Sequence, residues 1–446
     1  MDLDTRLQNV AVVGAAGKMG SGIALLLALE LGYRALESPD RTFILNLIDM
    51  NDAGLQALVR YLRDQAAKDG ERQINRLRSL FKDRADLVDN QDMVQEFVFE
   101  VLLRVRTGRT MDLARESLLV FEAAFETEEV KHAIYKDLAQ RCRPEAFFLS
   151  NTSSIPLQGL AQACAIPGRL IGYHFYNPPA VQKLVEVIQP RDCDPELARI
   201  AFDLAGLLRK RTVPSADVAG FIGNGHFIRD GLYAIRQVER LASKHGFVPA
   251  LFMVDRVSRD FLLRPMGIFQ LLDYVGIDVF QLITGVMTRY LGEDLHSGLL
   301  DRYLALGVKG GQGPGGVARP GFLDYRKGRP TAVFDPDTKT YLDLDGPWAK
   351  AAADWLGPLP GALSWKALQK DPDAGAKLAA WFQAIQGMDT LGAAMARSHL
   401  RASRETGINL VRQGVAASPE DVNEVLKLGF FHLYGPINDY AQGERP

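Results

Sequence analysis

Cysteine is scarce in this chain of 446 residues: three, Cys142, Cys164 and Cys193, an odd number without ligand-like spacing. That excludes a disulfide framework and a cysteine-built zinc site, and leaves the reduced, mostly structural thiols of a cytoplasmic protein. Net charge is nearly absent too, at −2. With no basic excess there is no electrostatic reason to expect nucleic acid or an anionic membrane as partner. Long apolar runs are missing: the richest, Ile23 to Leu29, is broken by Glu30 and is shorter than a bilayer span requires. The acidic start Met1-Asp2-Leu3-Asp4 has no signal-type apolar core behind it. What remains, 47% hydrophobic and 24% charged residues, is a soluble globular composition, and the length calls for two or three domains.

Glycine is well supplied where it matters. The apolar run 9–13 leads at once into Gly14-Ala15-Ala16-Gly17-Lys18-Met19-Gly20 and then into a helical pattern from Ser21. A strand, a glycine turn and a helix N-terminus place backbone N–H groups and the helix dipole where a pyrophosphate can rest. A second strand, Thr42 to Ile48, ends in Asp49, 29 residues after Gly20. An acid there accepts from the adenosine ribose diol and repels a 2′-phosphate, which favours NAD over NADP. An ATP-binding phosphate loop fits less well, because Gly17-Lys18 lacks the Gly five residues earlier and the following Ser or Thr. Residues 51–98 read as a charged helical hairpin, whose Arg60, Lys68 and Arg72 either meet a phosphate-bearing substrate or form a solvated face. Strands at 101–105, 117–123 and 146–149, with a helix at 128–141, continue the alternation of a doubly wound, mostly parallel sheet. Its ligand lies across the carboxyl ends of the strands, where Asp49, Glu122 to Glu126 and Ser150 to Ser154 fall.

One carboxylate is out of place. Glu186 sits in the aliphatic strand Leu184-Val185-Glu186-Val187-Ile188, and a buried carboxylate must be paired or protonated. His174, in the aromatic strand entering Asn177-Pro178, is the nearest candidate partner. Such a pair fixes the ring tautomer and leaves the other nitrogen to take a proton from a substrate hydroxyl near neutral pH. Taken alone, each is as well explained as a satisfied core polar group.

Five motifs in order carry a resemblance: Ser150-Asn151-Thr152-Ser153-Ser154, His174-Phe175-Tyr176-Asn177-Pro178, Lys183 to Ile188, Gly220-Phe221-Ile222-Gly223-Asn224, and Pro265 to Gly276. The chain resembles the L-specific, NAD-dependent 3-hydroxyacyl-CoA dehydrogenase family of fatty-acid β-oxidation. The spacing matches as well: 21 residues from Ser153 to His174, 12 on to Glu186 and 50 from His174 to Asn224. The resemblance implies a catalytic His174 oriented by Glu186, with Ser153 and Asn224 holding the hydroxyl and thioester. It also implies Glu126, Lys131, Asn151, Ser153 and Asn177 beside the nicotinamide, with Lys309 joining them. The glycine turn is one residue longer than the common pattern, and Asn224 is followed by Gly225-His226 in place of the family's Arg and aliphatic.

From Val218 the pattern turns helical, and residues 307–347, rich in Gly, Pro and Asp, read as an irregular connector. An echo follows. Ser418 to Gly429 and Tyr434 to Tyr440 repeat the stretch Val254 to Tyr274, with Leu410-Val411-Arg412-Gln413 set against Ile235-Arg236-Gln237-Val238. The expected architecture is thus a Rossmann-type α/β domain over 1–217, a helical domain over 218–306, the connector, and a second, structural helical domain over 348–446. The copy fills within one chain the surface that pairs subunits in one-copy relatives, giving a monomer or a homodimer. The substrate implied is an acyl-CoA. Two other readings stay open: a dehydrogenase of a non-CoA hydroxy acid, such as a sugar acid or carnitine-like substrate, and a non-catalytic dinucleotide-binding regulatory protein.

Overall fold

The computed structural model describes residues 1–313 and 316–440. The chain divides into two compact units, Met1–Asp217 and a second beginning at Val218.

The first unit is built on an eight-stranded sheet: β1 (Asn9–Val13), β2 (Ile44–Ile48), β3 (Val105–Gly108), β4 (Leu119–Glu122), β5 (Phe147–Ser150), β6 (Leu170–Phe175), β7 (Leu184–Gln189) and β8 (Arg211–Ala216). The spatial order is β3-β2-β1-β4-β5-β6-β7-β8. The first six run parallel, and β7 and β8 run against them. The chain steps outward from β1 through β2 to β3 and then returns to β4 on the other side of β1, so the crevice at the carboxyl ends of β1 and β4 is the switch point of the sheet. Strands β4, β5 and β6 are buried throughout, as a sheet covered on both faces requires. The helix Lys18–Glu37, long and apolar enough by composition to cross a membrane, has Ile23, Leu27 and Leu31 fully buried in the core of this unit. It begins three residues before the helical pattern expected from Ser21.

Two expectations change here. The hairpin is three helices, Asp52–Arg72, Ile74–Leu80 and Asn90–Leu103. The strand expected at 101–105 is the end of the last of them, and β3 begins only at Val105. Val94, Phe97 and Val101 fall on one helical face and are buried, and the bare backbone of Gly32 lets Val101 and Phe97 close on it.

In the second unit, residues 218–306, 307–347 and 348–440 contribute to a single hydrophobic core. Within the connector, β9 (Leu323–Arg326), β10 (Arg329–Asp335) and β11 (Thr340–Asp343) form an antiparallel sheet. Its anchor is the buried carboxyl of Asp273, which accepts from Phe322 N, Leu323 N and the Tyr325 hydroxyl at 2.7, 2.9 and 2.8 Å. Burial pushes that carboxyl up to about 8. The long helices Gly223–His245 and Leu391–Arg412 pack in opposite directions, with His226 meeting Ser403, Asp230 meeting His399 and Tyr233 meeting Ser398. Burial alone would raise the Asp230 carboxyl, yet Arg264 at 2.6 Å and His399 hold it well below the usual range.

Candidate active site

Gly14 leaves β1 with φ +77°, and a Cβ there would meet the Ala123 carbonyl at 2.7 Å, so only glycine lets the turn pass this close to the end of β4. Gly17 N donates to Gly14 O at 3.1 Å and then occupies the cap position of the helix Lys18–Glu37. A Cβ on Gly20 would collide with the Gly14 carbonyl. No acidic side chain stands in the first turn of that helix. At the end of β2, Asp49 accepts from Ala16 N at 2.9 Å and from Asn51 N at 3.0 Å, one bond on each oxygen, and ties the glycine turn to the sheet. A carboxylate offers about four acceptor positions, so both oxygens keep capacity for a diol. A close-packed glycine turn, a helix start without an acid and a strand-end Asp suit a dinucleotide.

Across the crevice, Glu122 at the end of β4 is fully buried. It accepts from Lys131 Nζ on both oxygens at 2.9 Å, from Ser150 Oγ at 2.7 Å and from the Tyr135 hydroxyl at 3.2 Å. Glu126 receives Thr152 Oγ1 at 2.7 Å, Ser153 N at 2.8 Å, Ser153 Oγ at 3.3 Å and Ser154 Oγ at 3.1 Å, and pairs with Lys131 at 3.2 Å. Burial would raise Glu126, but the Lys131 charge and the Thr152 and Ser153 bonds lower it below its ordinary value. Lys131, 1% exposed, has its three N–H donors taken up by these two carboxylates. Its place is therefore behind Glu126, fixing that side chain, where the sequence had put it against the cofactor. Asn151 accepts from Phe175 N at 2.9 Å and so pins the end of β6 to the turn after β5.

His174 and Glu186 are direct partners in the antiparallel β6–β7 pair. His174 Nδ1 lies 2.9 Å from Glu186 Oε2. The carboxylate is fully buried and the ring 8% exposed, so the pair meets in a low dielectric with the ring at the surface of the site. The Tyr176 hydroxyl donates to the same Oε2 at 2.6 Å. Asn177 follows, joined to Pro178 by a cis peptide.

Residues 9–104 and 100–218 match the sequence model of the 3-hydroxyacyl-CoA dehydrogenase NAD binding domain, and 220–319 match that of the C-terminal domain of the same family. The chain belongs to the 3-hydroxyacyl-CoA dehydrogenase family. A probable 3-hydroxybutyryl-CoA dehydrogenase of Bacillus subtilis is 29% identical over 324 residues, 71% of this chain and 97% of the relative. A 3-hydroxybutyryl-CoA dehydrogenase of Mycobacterium tuberculosis is 33% identical over 285 residues, 63% and 86% of the two chains. Among solved structures, M. tuberculosis FadB2 aligns with a TM-score of 0.53 at 30% identity, over 68% of this chain and 95% of that one. The Escherichia coli 3-hydroxybutyryl-CoA dehydrogenase shares the fold over 97% of this chain and 90% of its own, with a TM-score of 0.64 at 22% identity.

This dehydrogenase uses NAD, and its first unit is the NAD-binding domain. That unit brings together Ser153 with Glu126, Glu126 with Lys131, and His174 with Glu186. Asn224 and Lys309 belong to the second unit. Asn224 opens the helix Gly223–His245, just after the positive-φ pair Gly220 and Phe221, while Lys309 is exposed and its carbonyl accepts from Ile277 N at 2.7 Å. Sequence reasoning assigned no role to Glu122 or Tyr176. The signal for Tyr176 was its i+2 spacing from His174, which in a strand continued one residue past β6 returns a side chain to the same face.

Proposed function

We propose that this enzyme oxidises a (3S)-3-hydroxyacyl-CoA to the 3-oxoacyl-CoA, with His174 as the base and Glu186 as its buried partner. The observation that carries the reading is the 2.9 Å contact between His174 Nδ1 and Glu186 Oε2. With Nδ1 engaged by the carboxylate, it supports Nε2 as the nitrogen that transfers the proton. Bound NAD supplies the acceptor for the hydride from C3. His174 Nε2 takes the hydroxyl proton as that hydride departs, and Glu186 stabilises the imidazolium that forms. In the reverse direction His174 starts as the imidazolium and returns the proton, so oxidation is favoured at higher pH and reduction at lower pH. In the first unit Ser153 holds the substrate oxygen, Asn151 and Asn177 line the nicotinamide side, and Asp49 receives the ribose diol; Asn224 is the substrate-holding candidate of the second unit.

A cavity of about 430 Å³ in the first unit supports a CoA ester over a small hydroxy acid: Arg72, Arg76, Lys183, Arg209 and Lys210 line it against two carboxylates, Glu30 and Asp69. That excess of cations suits the phosphates of CoA. The test follows NADH absorbance with acetoacetyl-CoA and with the N-acetylcysteamine thioester that lacks those phosphates. Arg72→Ala is expected to raise KM for the first about tenfold and to leave the second unchanged. Glu186→Gln is expected to lower kcat about a thousandfold with NAD affinity retained, because the mis-set tautomer costs the base and not the cofactor site. Lost NAD binding would contradict the assignment. Pairing of the two long helices within one chain supports a monomer, read by sedimentation.

A further inference from the structure

Glu186 Oε2 serves two donors. His174 Nδ1 reaches it at 2.9 Å and the Tyr176 hydroxyl at 2.6 Å, while the two rings lie against each other with centroids 4.7 Å apart. Both rings are 8% exposed and the carboxylate is buried, so water does not dilute the competition. We propose that Tyr176 is a positioning residue for proton transfer: its hydroxyl locks Glu186 Oε2 toward His174 and draws off part of the carboxylate's charge, which sets how strongly the imidazole holds its proton. The proposal rests on the dehydrogenase reading for its purpose, but not for its geometry.

A phenol donating to a carboxylate lessens the negative charge on the oxygen it binds. The less charge at Oε2, the less an imidazolium on Nδ1 gains from it. Burial first, and then the charge of Glu186, raise the Tyr176 hydroxyl well above its ordinary range, so it stays a donor throughout neutral pH. On β8 the residue opposite Glu186 is Val213, and on β5 the residue opposite Gly172 is Ser150. Tyr173, on the other face of β6, packs its ring on Phe121 and Phe175. Glu122 and Glu126 pair with Lys131 around the ends of β4 and β5.

Tyr176→Phe removes the hydroxyl and keeps the ring. The test is a carbon-13 NMR titration of the histidine ring signals in the ligand-free protein, with the His174 signal assigned by its loss in His174→Gln. In Tyr176→Phe the titration midpoint of His174 is expected to move to higher pH by about 0.5 to 1 unit. The acid limb of the single-turnover rate of (3S)-3-hydroxybutyryl-CoA oxidation should move with it, while KM for NAD stays within twofold. A purely structural tyrosine would lower the rate at every pH and leave the midpoint in place, and that result overturns the proposal. Where the phenylalanine variant does not fold, 3-fluorotyrosine at 176 decides: its more acidic phenol donates more strongly, and the midpoint must move to lower pH. An unmoved midpoint there overturns the proposal too. A wild-type protein that turns over no acyl-CoA, with the midpoint still moved in Tyr176→Phe, would sink the dehydrogenase reading and keep the positioning role of Tyr176.

Discussion

The second unit contains one helical pattern twice, and two of the differences between the copies are informative. Adding 168 to a residue number of the first copy gives its counterpart: the long helix starts at Gly223 and at Leu391, and Asn224 corresponds to Gly392. In the first copy, Asp255 accepts from Phe269 N at 2.8 Å and Gly267 lies bare against the carboxyl. In the second, Asn423 accepts from Ile437 N at 3.0 Å and Gly435 lies bare against the amide. The clamp is the same, but only the first is an acid. The helix starts differ more. Thr390 caps the second, its hydroxyl accepting from Ala393 N at 3.3 Å, whereas the first begins after Gly220 and Phe221, at φ +83° and +49°, with Ile222 at the cap position. A non-glycine residue held in the left-handed region costs on the order of 1 kcal/mol, and such strain gathers at functional sites. The second copy has a stable, ordinary helix start. The first gives that up where it presents Asn224.

The largest effect expected from this comparison comes from exchanging the clamps. Burial raises Asp255 to about 6 from 3.8. A raised folded value means that the folded state keeps a proton the unfolded chain has released, so stability from this group is present below pH 4 and is lost as pH rises to 6. The loss is roughly 3 kcal/mol. Asp255→Asn removes it, since the amide oxygen still serves Phe269 N as Asn423 serves Ile437 N. Urea unfolding should show the variant gaining on wild type between pH 4 and pH 7, and Asn423→Asp losing over the same window. Parallel curves would mean that the two clamps are not equivalent.

Next comes the motif that the second copy lacks. Asn224→Ala is expected to lower kcat about a hundredfold, the effect of losing one positioned donor at a developing charge, with the melting temperature nearly unchanged. A loss of melting temperature without loss of rate would make Asn224 a part of the scaffold.

What the sequence disclosed, and what it hid, follows the same division between local and distant causes. The turn Gly14 to Gly20, Asp49 at a strand end and the helix Glu128–Arg141 are local patterns, and all were legible. His174 and Glu186 were legible as a pair because a charge among aliphatics needs a partner, and the β6–β7 register supplies it. Lys131 was misplaced because the carboxylate that takes it inward, Glu122, reads in sequence only as the end of an apolar strand. Short aromatic strands at best were legible over the connector, and their pairing as β9 to β11 was hidden because the anchor, Asp273, lies 49 residues before Phe322. The echo was found in the right place, but its long helix was set seven residues out of step, Leu410 against Ile235. Seven residues are two helical turns and return the same face, so periodicity cannot detect the slip. The clamp can, through the 14-residue step shared by Asp255–Phe269 and Asn423–Ile437.

The smallest expected effect is the most discriminating. Thr390→Ala removes the hydroxyl that accepts Ala393 N and leaves the helix Leu391–Arg412 otherwise intact. Loss of a threonine cap costs about 1 kcal/mol, which for a unit of this size lowers the melting temperature by roughly 2 to 4 °C. If the second copy serves only as scaffold, kcat and KM for acetoacetyl-CoA must stay within experimental error at temperatures well below the transition. A fall in kcat without a fall in melting temperature would place the second helix start in the chemistry and undo the contrast with Gly220 to Asn224. A fall in both, restored by Thr390→Ser, would show that the two copies share stability, and that the strained start of the first leans on the capped start of the second.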